Sequence, residues 1–165
     1  MNTPKYLIVH HEAPPVVIPD TAKRFDIVDQ YHKSKGWGGI GYHAFIERDG
    51  ELKQGRADNE EGAHTIGKNQ ESLGICMAGN MDLQDPTTAQ VETLTKWLKE
   101  KMAQYNIPIE NVVPHRRFAN KSCYGLRLKD DWAQNLVKKA ISTEELTPYE
   151  IERIRKIMAL FRWLK

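Results

Sequence analysis

The 165-residue chain has little cysteine, no long apolar run and no strong excess of charge. Its two cysteines, Cys76 and Cys123, are too few for a secreted scaffold held together by disulfides. The apolar run near the N-terminus, Tyr6 to Val9, is far too short for a signal peptide or a membrane span. We therefore expect no signal peptide and no transmembrane segment, and a chain that folds in the cytoplasm where it is made.

The charges are nearly balanced, with 24 Lys and Arg against 22 Asp and Glu and a formal net charge of +2. This is well below the basic excess typical of nucleic-acid-binding proteins, so nucleic acid is not an expected partner. The hydrophobic content of 40% and the charged content of 28% are ordinary for a globular protein, which argues against disorder. The length suits one domain with a real hydrophobic core.

Short apolar runs alternate with segments of helical periodicity. Strands are predicted over residues 6–9, in a hairpin over 42–54 that turns at Asp49-Gly50, and over 72–78. Helices are predicted from Asp20 or Thr21 to Gly36, from Asp85-Pro86 through Met102, and over 130–141. This alternation predicts an α/β fold with a central mixed β-sheet flanked by helices.

An additional helix is predicted at the C-terminus, where residues 147–150 form a capping box with proline at the first helical position. Its apolar stripe consists of Ile151, Ile154, Met158 and Phe161, and from Arg153 onward it has basic residues but no acidic one. The helix either docks on the domain or contacts an anionic membrane or cell wall as a basic amphipathic helix. We therefore divide the chain into a domain over 1–141 and an extension over 142–165.

Three residues could bind a metal ion together. His10 follows the first apolar run, and His115 follows Val112-Val113-Pro114, so both could lie at the rim of a sheet. Cys123 comes eight residues after His115, in a polar loop. Two imidazoles and a thiolate suit zinc, and three protein ligands leave a fourth position for water. The short ligand spacings that announce a zinc site are missing, so the residues alone leave this interpretation open.

Four short segments occur in one order across residues 5–140. They are Ile8 to His11, then Gly41-Tyr42-His43 with Arg48-Asp49-Gly50, then Gly62-Ala63-His64 with Ser72 to Ile75, and finally His115 with Lys121-Ser122-Cys123. Together these segments resemble the type 2 N-acetylmuramoyl-L-alanine amidases, a family that includes bacteriophage lysozyme-type amidases and peptidoglycan recognition proteins. The resemblance implies hydrolysis of the amide bond between N-acetylmuramic acid and L-alanine in peptidoglycan.

The resemblance also implies roles for particular residues. His10, His115 and Cys123 would bind Zn²⁺. Tyr42 would lie beside the metal and help to position or deprotonate the attacking water, and Lys121 would stabilise the oxyanion. These roles fit the chemistry, because zinc acidifies water and an ammonium group can hold the charge of a tetrahedral intermediate.

The other histidines and Trp37 are expected to contact substrate or to have structural roles. The resemblance places His64 near the substrate groove, and Trp37, in a glycine-rich loop, could stack on a sugar or peptide or belong to the core. Strand alternation should turn His11 and His43 away from the site. His32, among polar residues in a predicted helix, is expected at the surface.

One position departs from the family pattern. Many members read Cys-Pro-Gly after the last ligand, whereas this chain reads Cys123-Tyr124-Gly125. Because proline stiffens a loop, its loss is expected to loosen the site without removing the ligand.

The implied biological role is that of a phage or prophage endolysin, a monomer that waits in the host cytoplasm until it reaches the cell wall. One alternative is a cytoplasmic amidase that recycles anhydro-muropeptides, which could use the same zinc site. Another is a peptidoglycan-binding module without catalysis. The presence of Cys123, Tyr42 and Lys121 favours an enzyme over that module.

Overall fold

The computed structural model describes residues 2–144, which form a five-stranded sheet with three α-helices. The strands are β1 (Tyr6–His11), β2 (Ala44–Ile46), β3 (Leu52–Gln54), β4 (Ser72–Met77) and β5 (Val112–Pro114). The helices are α1 (Phe25–Ser34), α2 (Thr88–Tyr105) and α3 (Trp132–Glu144). The prediction of an α/β fold with a mixed sheet is confirmed.

The strands lie in the order β3-β2-β4-β1-β5. β1 is central and pairs in parallel with both β4 and β5, and β2 also runs parallel to β4. Only β3 is antiparallel, because it returns from β2 through the predicted hairpin turn at Asp49-Gly50. The parallel strands therefore end along one common edge of the sheet, where polar side chains that follow them can meet.

The two faces of the sheet are covered differently. On one face, Val9 of β1 and Ile75 of β4 pack with Leu94 and Leu98 of α2 and Val137 of α3. On the other face, a smaller cluster contains Val28 of α1 with Ile18, Ile40, Phe45 and Cys76. Because β1 and β4 are buried on both faces, they are almost continuously apolar, as expected of parallel strands.

The start of α1 differs from the prediction. The helix begins at Phe25, and Asp20 does not cap it but forms an ion pair with Arg48. The buried carboxylate of Glu47 accepts hydrogen bonds from the backbone N–H groups of Arg24 and Phe25, at 2.7 and 3.0 Å. A residue distant in sequence therefore does what a local cap usually does.

The start of α2 also differs from expectation, because Thr87 rather than Asp85 is the cap. The Thr87 hydroxyl accepts from the backbone N–H of Gln90, and the Gln90 side chain accepts from the backbone N–H of Thr87. This reciprocal pair is a capping box. Asp85 lies outside the helix and forms an ion pair with Arg127.

The predicted C-terminal helix lies outside the described residues. The last described helix, α3, runs through Glu144, so the expected domain boundary at residue 141 falls within its final turn. Among residues 2–144, no helix is both long and apolar enough to span a bilayer.

The Glu47 cap gives a stability prediction. Glu47→Ala removes two hydrogen bonds and leaves two helix N–H groups without their partner, so the free energy of unfolding should fall by about 1–3 kcal/mol. Urea denaturation followed by circular dichroism measures the change. Glu51→Ala is the matched control, because the Glu51 side chain forms only exposed ion pairs with Lys23 and Lys53 and its loss should cost much less stability. Equal losses in the two variants would contradict the capping role.

Candidate active site

The parallel register of β1 and β5 brings two histidines together. Val9 of β1 pairs with Pro114 of β5, and His10 and His115 each follow by one residue. Their side chains consequently lie side by side at the carboxyl edge of the sheet, with ring centroids 4.4 Å apart. Both side chains are buried, with exposed fractions of 1% for His10 and 9% for His115.

A loop returns Cys123 to the same point. Its sulfur lies 3.7 Å from Nδ1 of His10, and one ligand atom from each of His10, His115 and Cys123 falls within 4.8 Å of the others. Ligand atoms around a tetrahedral zinc ion are roughly 3.3–3.6 Å apart, as follows from Zn–N and Zn–S bond lengths. The three expected ligands therefore form a compact cluster whose donor types suit zinc, and the separation of sulfur and Nδ1 is close to the zinc value.

Burial sets the protonation of this cluster. Burial lowers the pKa of His115 to about 4, with a further contribution from the nearby Lys121 charge, and it also lowers the pKa of His10 well below its usual value. Both imidazoles are therefore neutral at pH 7 and have a lone pair for a metal. Burial raises the pKa of the Cys123 thiol to about 12, so a thiolate here needs a strong positive charge beside it, which a divalent cation would supply.

Arg116 fixes the loop that contains Cys123. Its backbone N–H donates to the Cys123 carbonyl at 2.7 Å, and its guanidinium donates to the carbonyls of Ser122, Gly125 and Leu128. These contacts hold the backbone on both sides of the cysteine.

Two further contacts anchor this loop. Asp82, in the turn after β4, accepts from the Ser122 hydroxyl and from the backbone N–H of Leu126, both at 2.7 Å. Tyr124, which stands where the family has proline, is fully buried and donates from its hydroxyl to the carbonyls of Lys129 and Asp130. The expected loosening is therefore opposed by Arg116, Asp82 and Tyr124, which tie the loop to its surroundings.

Tyr42 lies next to the cluster, with its ring centroid 5.0 Å from that of His10. Burial raises the pKa of the phenol well above its usual value, and the neighbouring thiols of Cys76 and Cys123 add to this effect. Tyr42 is therefore protonated at neutral pH.

Lys121 and Trp37 are both exposed. Lys121 is exposed, and its charge acts on His10, His115 and Cys123, whose pKa values it lowers. Trp37 is 44% exposed and lines an open cavity of about 520 Å³. This cavity has a mixed charged lining that includes Lys33, Arg56 and Glu60.

His64 contacts the cluster from the protein side. Its Nδ1 lies 3.1 Å from Nε2 of His10, and its ring is edge-on to the rings of both His10 and His43. His43 is itself buried, and its Nδ1 accepts from the backbone N–H of Gly74. The structure therefore brings His64 and Tyr42 to the expected ligand His10 and keeps His43 as a buried neighbour.

The expectation for His32 is wrong. Its side chain is buried with 6% exposed, and its Nδ1 accepts from the backbone N–H of Gly41 at 2.9 Å. Its ring lies between those of Tyr42 and Trp37, at centroid distances of 5.5 and 4.8 Å. The polar neighbours of His32 in sequence gave no signal of this, because its partner is a loop that closes over α1. His11, by contrast, faces away as expected, and its Nδ1 accepts from the backbone N–H of Met81.

Residues 1–126 match the family model described as N-acetylmuramoyl-L-alanine amidase. The chain belongs to the N-acetylmuramoyl-L-alanine amidase family. The expected enzyme class, an amidase that acts on peptidoglycan, is confirmed by this membership. Every expected site residue lies within the matched segment.

Curated relatives of this amidase include phage lysis proteins. The endolysin of Klebsiella phage KP32 is 35% identical over 113 residues, which cover 66% of this chain and 74% of the relative. The endolysin of Escherichia phage T7 is 34% identical with the same coverage. A human N-acetylmuramoyl-L-alanine amidase is 31% identical over 132 residues, which make up 23% of that longer protein.

Solved structures of related proteins have the same fold. The endolysin amidase LysCS from Clostridium intestinale superposes with a TM-score of 0.72 at 28% identity, covering 84% of both chains. A variant of Drosophila PGRP-LB in complex with tracheal cytotoxin gives a TM-score of 0.67 at 27% identity, covering 78% of this amidase and 79% of that chain. The amidase thus shares its fold with both lytic enzymes and peptidoglycan recognition proteins.

Proposed function

We propose that this amidase is zinc-dependent and cuts the bond between N-acetylmuramic acid and L-alanine, with His10, His115 and Cys123 as the metal ligands. The observation that carries the proposal is the meeting of two neutral imidazoles and one thiol at a strand edge of an amidase-family fold. When bound, zinc polarises the scissile carbonyl and lowers the pKa of water to about 7. The protein's part is to bind the ion and to orient the substrate around it.

In this proposal Lys121 holds the oxyanion. Attack on the amide carbonyl places negative charge on its oxygen, and a nearby ammonium group stabilises that charge in the transition state. The exposed position of Lys121 and its electrostatic effect on all three proposed ligands support this role. A lysine on the solvent side can reach a substrate without first displacing protein atoms.

Tyr42 acts in this proposal as a proton donor rather than as a base. Its raised pKa keeps the phenol protonated at pH 7, which suits hydrogen bonding to the attacking water or proton delivery to the leaving amine of L-alanine. Deprotonation of water by Tyr42 would require a phenolate, which burial disfavours.

The substrate contacts expected from the sequence are Trp37 and His64. Trp37 offers an exposed aromatic face above the charged cavity, and aromatic faces stack well on sugars and peptide groups. His64 was also expected to contact substrate, but its Nδ1 faces His10.

For the biological role we propose a phage or prophage endolysin that acts as a monomer and is held in the host cytoplasm before release. The observation in favour is the likeness to several phage endolysins at 34–35% identity. A cytoplasmic recycling amidase would share the same site but would prefer soluble anhydro-muropeptides. A binding module would bind peptidoglycan without turnover.

We also propose that residues 145–165 help the amidase to act on the insoluble cell wall. Their sequence combines an apolar stripe with five basic residues after Glu152, which suits an anionic membrane or wall polymer. Every proposed site residue lies at or before Cys123. In this proposal, residues 145–165 are therefore not needed for the chemistry.

Metal removal tests the function directly. The purified chain should contain about one zinc per chain, and chelation should abolish the release of new amino termini from sacculi, with Zn²⁺ restoring it. Cys123→Ala should lose both metal and activity. Cys76→Ala is the matched control, since Cys76 is buried but lies outside the ligand cluster, and it should keep the metal.

Parallel digestion of sacculi and soluble anhydro-muropeptides, read by mass spectrometry, separates the biological roles. An endolysin should act on sacculi, and a recycling enzyme should act mainly on the soluble substrate. Full activity after verified metal removal would contradict zinc dependence, and absence of turnover on both substrates would leave a binding module.

Lys121→Ala and Tyr42→Phe should reduce kcat while zinc content and fold remain. Loss of one oxyanion donor typically lowers kcat by about 10²–10³. Lys129→Ala and Tyr31→Phe are matched controls, because both side chains are exposed and neither is among the site residues. Steady-state kinetics on a soluble muropeptide, with zinc measured in the same samples, gives the comparison. A variant that keeps the wild-type rate would remove the role assigned to that residue.

A chain that ends at Glu144 should keep zinc and cleave a small soluble muropeptide, but act less well on whole sacculi. The difference from the full chain should be largest at low salt, where attraction between unlike charges is least screened. Rates on both substrates and the melting temperature are measured together. Equal losses on both substrates with a lower melting temperature would instead assign the extension to the packing of the domain.

A further inference from the structure

His64 lies in a slot that only glycines allow. A side-chain carbon at Gly74 of β4 would come within 2.6 Å of the His64 ring, and one at Gly62 would come within 2.5 Å. The ring therefore packs directly against backbone at both positions. Asn69 fixes the loop from the other side, because its side-chain oxygen accepts from the backbone N–H groups of His64 and Thr65 at 3.0 and 2.8 Å.

One assignment of donors and acceptors satisfies the contacts of this ring, which also include the Thr65 hydroxyl at 3.0 Å from Nδ1. The Ser72 hydroxyl donates to the Lys68 carbonyl at 2.6 Å, which leaves its oxygen free to accept from Nε2 of His64 at 3.5 Å. With the proton on Nε2, His64 presents a lone pair at Nδ1. That lone pair faces Nε2 of His10 at 3.1 Å, with the Thr65 hydroxyl beside it at 3.0 Å.

The same assignment fixes the tautomer of His10. If Nε2 of His10 donates to His64, the proton of the neutral imidazole is on Nε2 and the lone pair is on Nδ1. Nδ1 is the nitrogen that lies 3.7 Å from the Cys123 sulfur, inside the ligand cluster. The outer partner of a ligating histidine sets its tautomer and orientation and affects metal affinity.

We propose that His64 is a positioning residue that holds His10 in the tautomer and orientation required to bind the metal through Nδ1. This rests on the proposed zinc site and deepens it. Here an imidazole accepts the hydrogen bond that a carboxylate or carbonyl oxygen usually accepts from a ligating histidine. His64 then acts through His10, and its ring does not need to contact the substrate.

Two substitutions separate positioning from packing. His64→Leu fills the slot with an apolar side chain and removes the acceptor, whereas His64→Asn returns an acceptor oxygen near the position of Nδ1. His64→Leu should weaken zinc binding by about 10–100-fold, and His64→Asn should recover most of that loss. Zinc affinity is measured by competition with a chelator at fixed pH, alongside the melting temperature of each metal-free protein.

His32→Leu is the matched control. It removes a buried imidazole that contacts Tyr42 and Trp37 but has no hydrogen bond to His10, so it should alter stability while leaving zinc affinity within about threefold of wild type. If His64→Leu and His64→Asn weaken zinc binding equally, or if zinc affinity changes only in step with the melting temperature, His64 is a packing residue and the proposal fails.

Nitrogen-15 NMR of the histidine rings tests the tautomer without any metal. In the metal-free wild-type protein, His10 should carry its proton on Nε2, and His64→Leu should abolish this preference. A proton on Nδ1 of His10 in wild type would overturn the inference. A wild-type protein that shows the expected tautomer but binds no zinc would instead refute the zinc site and leave the hydrogen bond between the two rings intact.

Discussion

The pairing of β1 with β5 is the constraint on which the site depends. Both strands run in the same direction, and Val9 lies opposite Pro114, so the next residues, His10 and His115, reach the same edge together. A shift of this register by one residue would turn one of the two side chains to the opposite face of the sheet. The apolar packing that fixes this register therefore also fixes the distance between the two imidazoles.

Burial at this edge determines the chemistry as much as position does. The imidazoles are held neutral, the Tyr42 phenol is held protonated and the Cys123 thiol resists ionisation, all because burial penalises the charged forms. Lys121, on the solvent side, is the charged group that acts on all three members of the cluster. The site thus combines buried neutral donors with an accessible cation, an arrangement suited to binding a metal ion.

In the loop that contains Cys123, other contacts compensate for the missing proline. Without the proline common in the family, the chain uses Arg116 and Asp82 to bind the backbone around Cys123, and the Tyr124 ring fills the core beneath. Each contact is modest, since a hydrogen bond typically contributes about 1 kcal/mol, but together they hold the sulfur beside His10. The position of the proposed ligand is preserved by different means.

The sequence by itself determined most of the order of strands and helices, though not the short strand β5, together with the mixed sheet and the candidate residues for the site, because apolar periodicity and ordered motifs are local properties of the chain. It did not determine the Glu47 cap, the burial of His32 or the contact between His64 and His10. Each of these joins residues far apart in sequence, or joins a helix to a loop that folds back over it. Only the tertiary structure decided them, because a hydrogen bond between distant residues depends on the packing of whole elements, which no local pattern records.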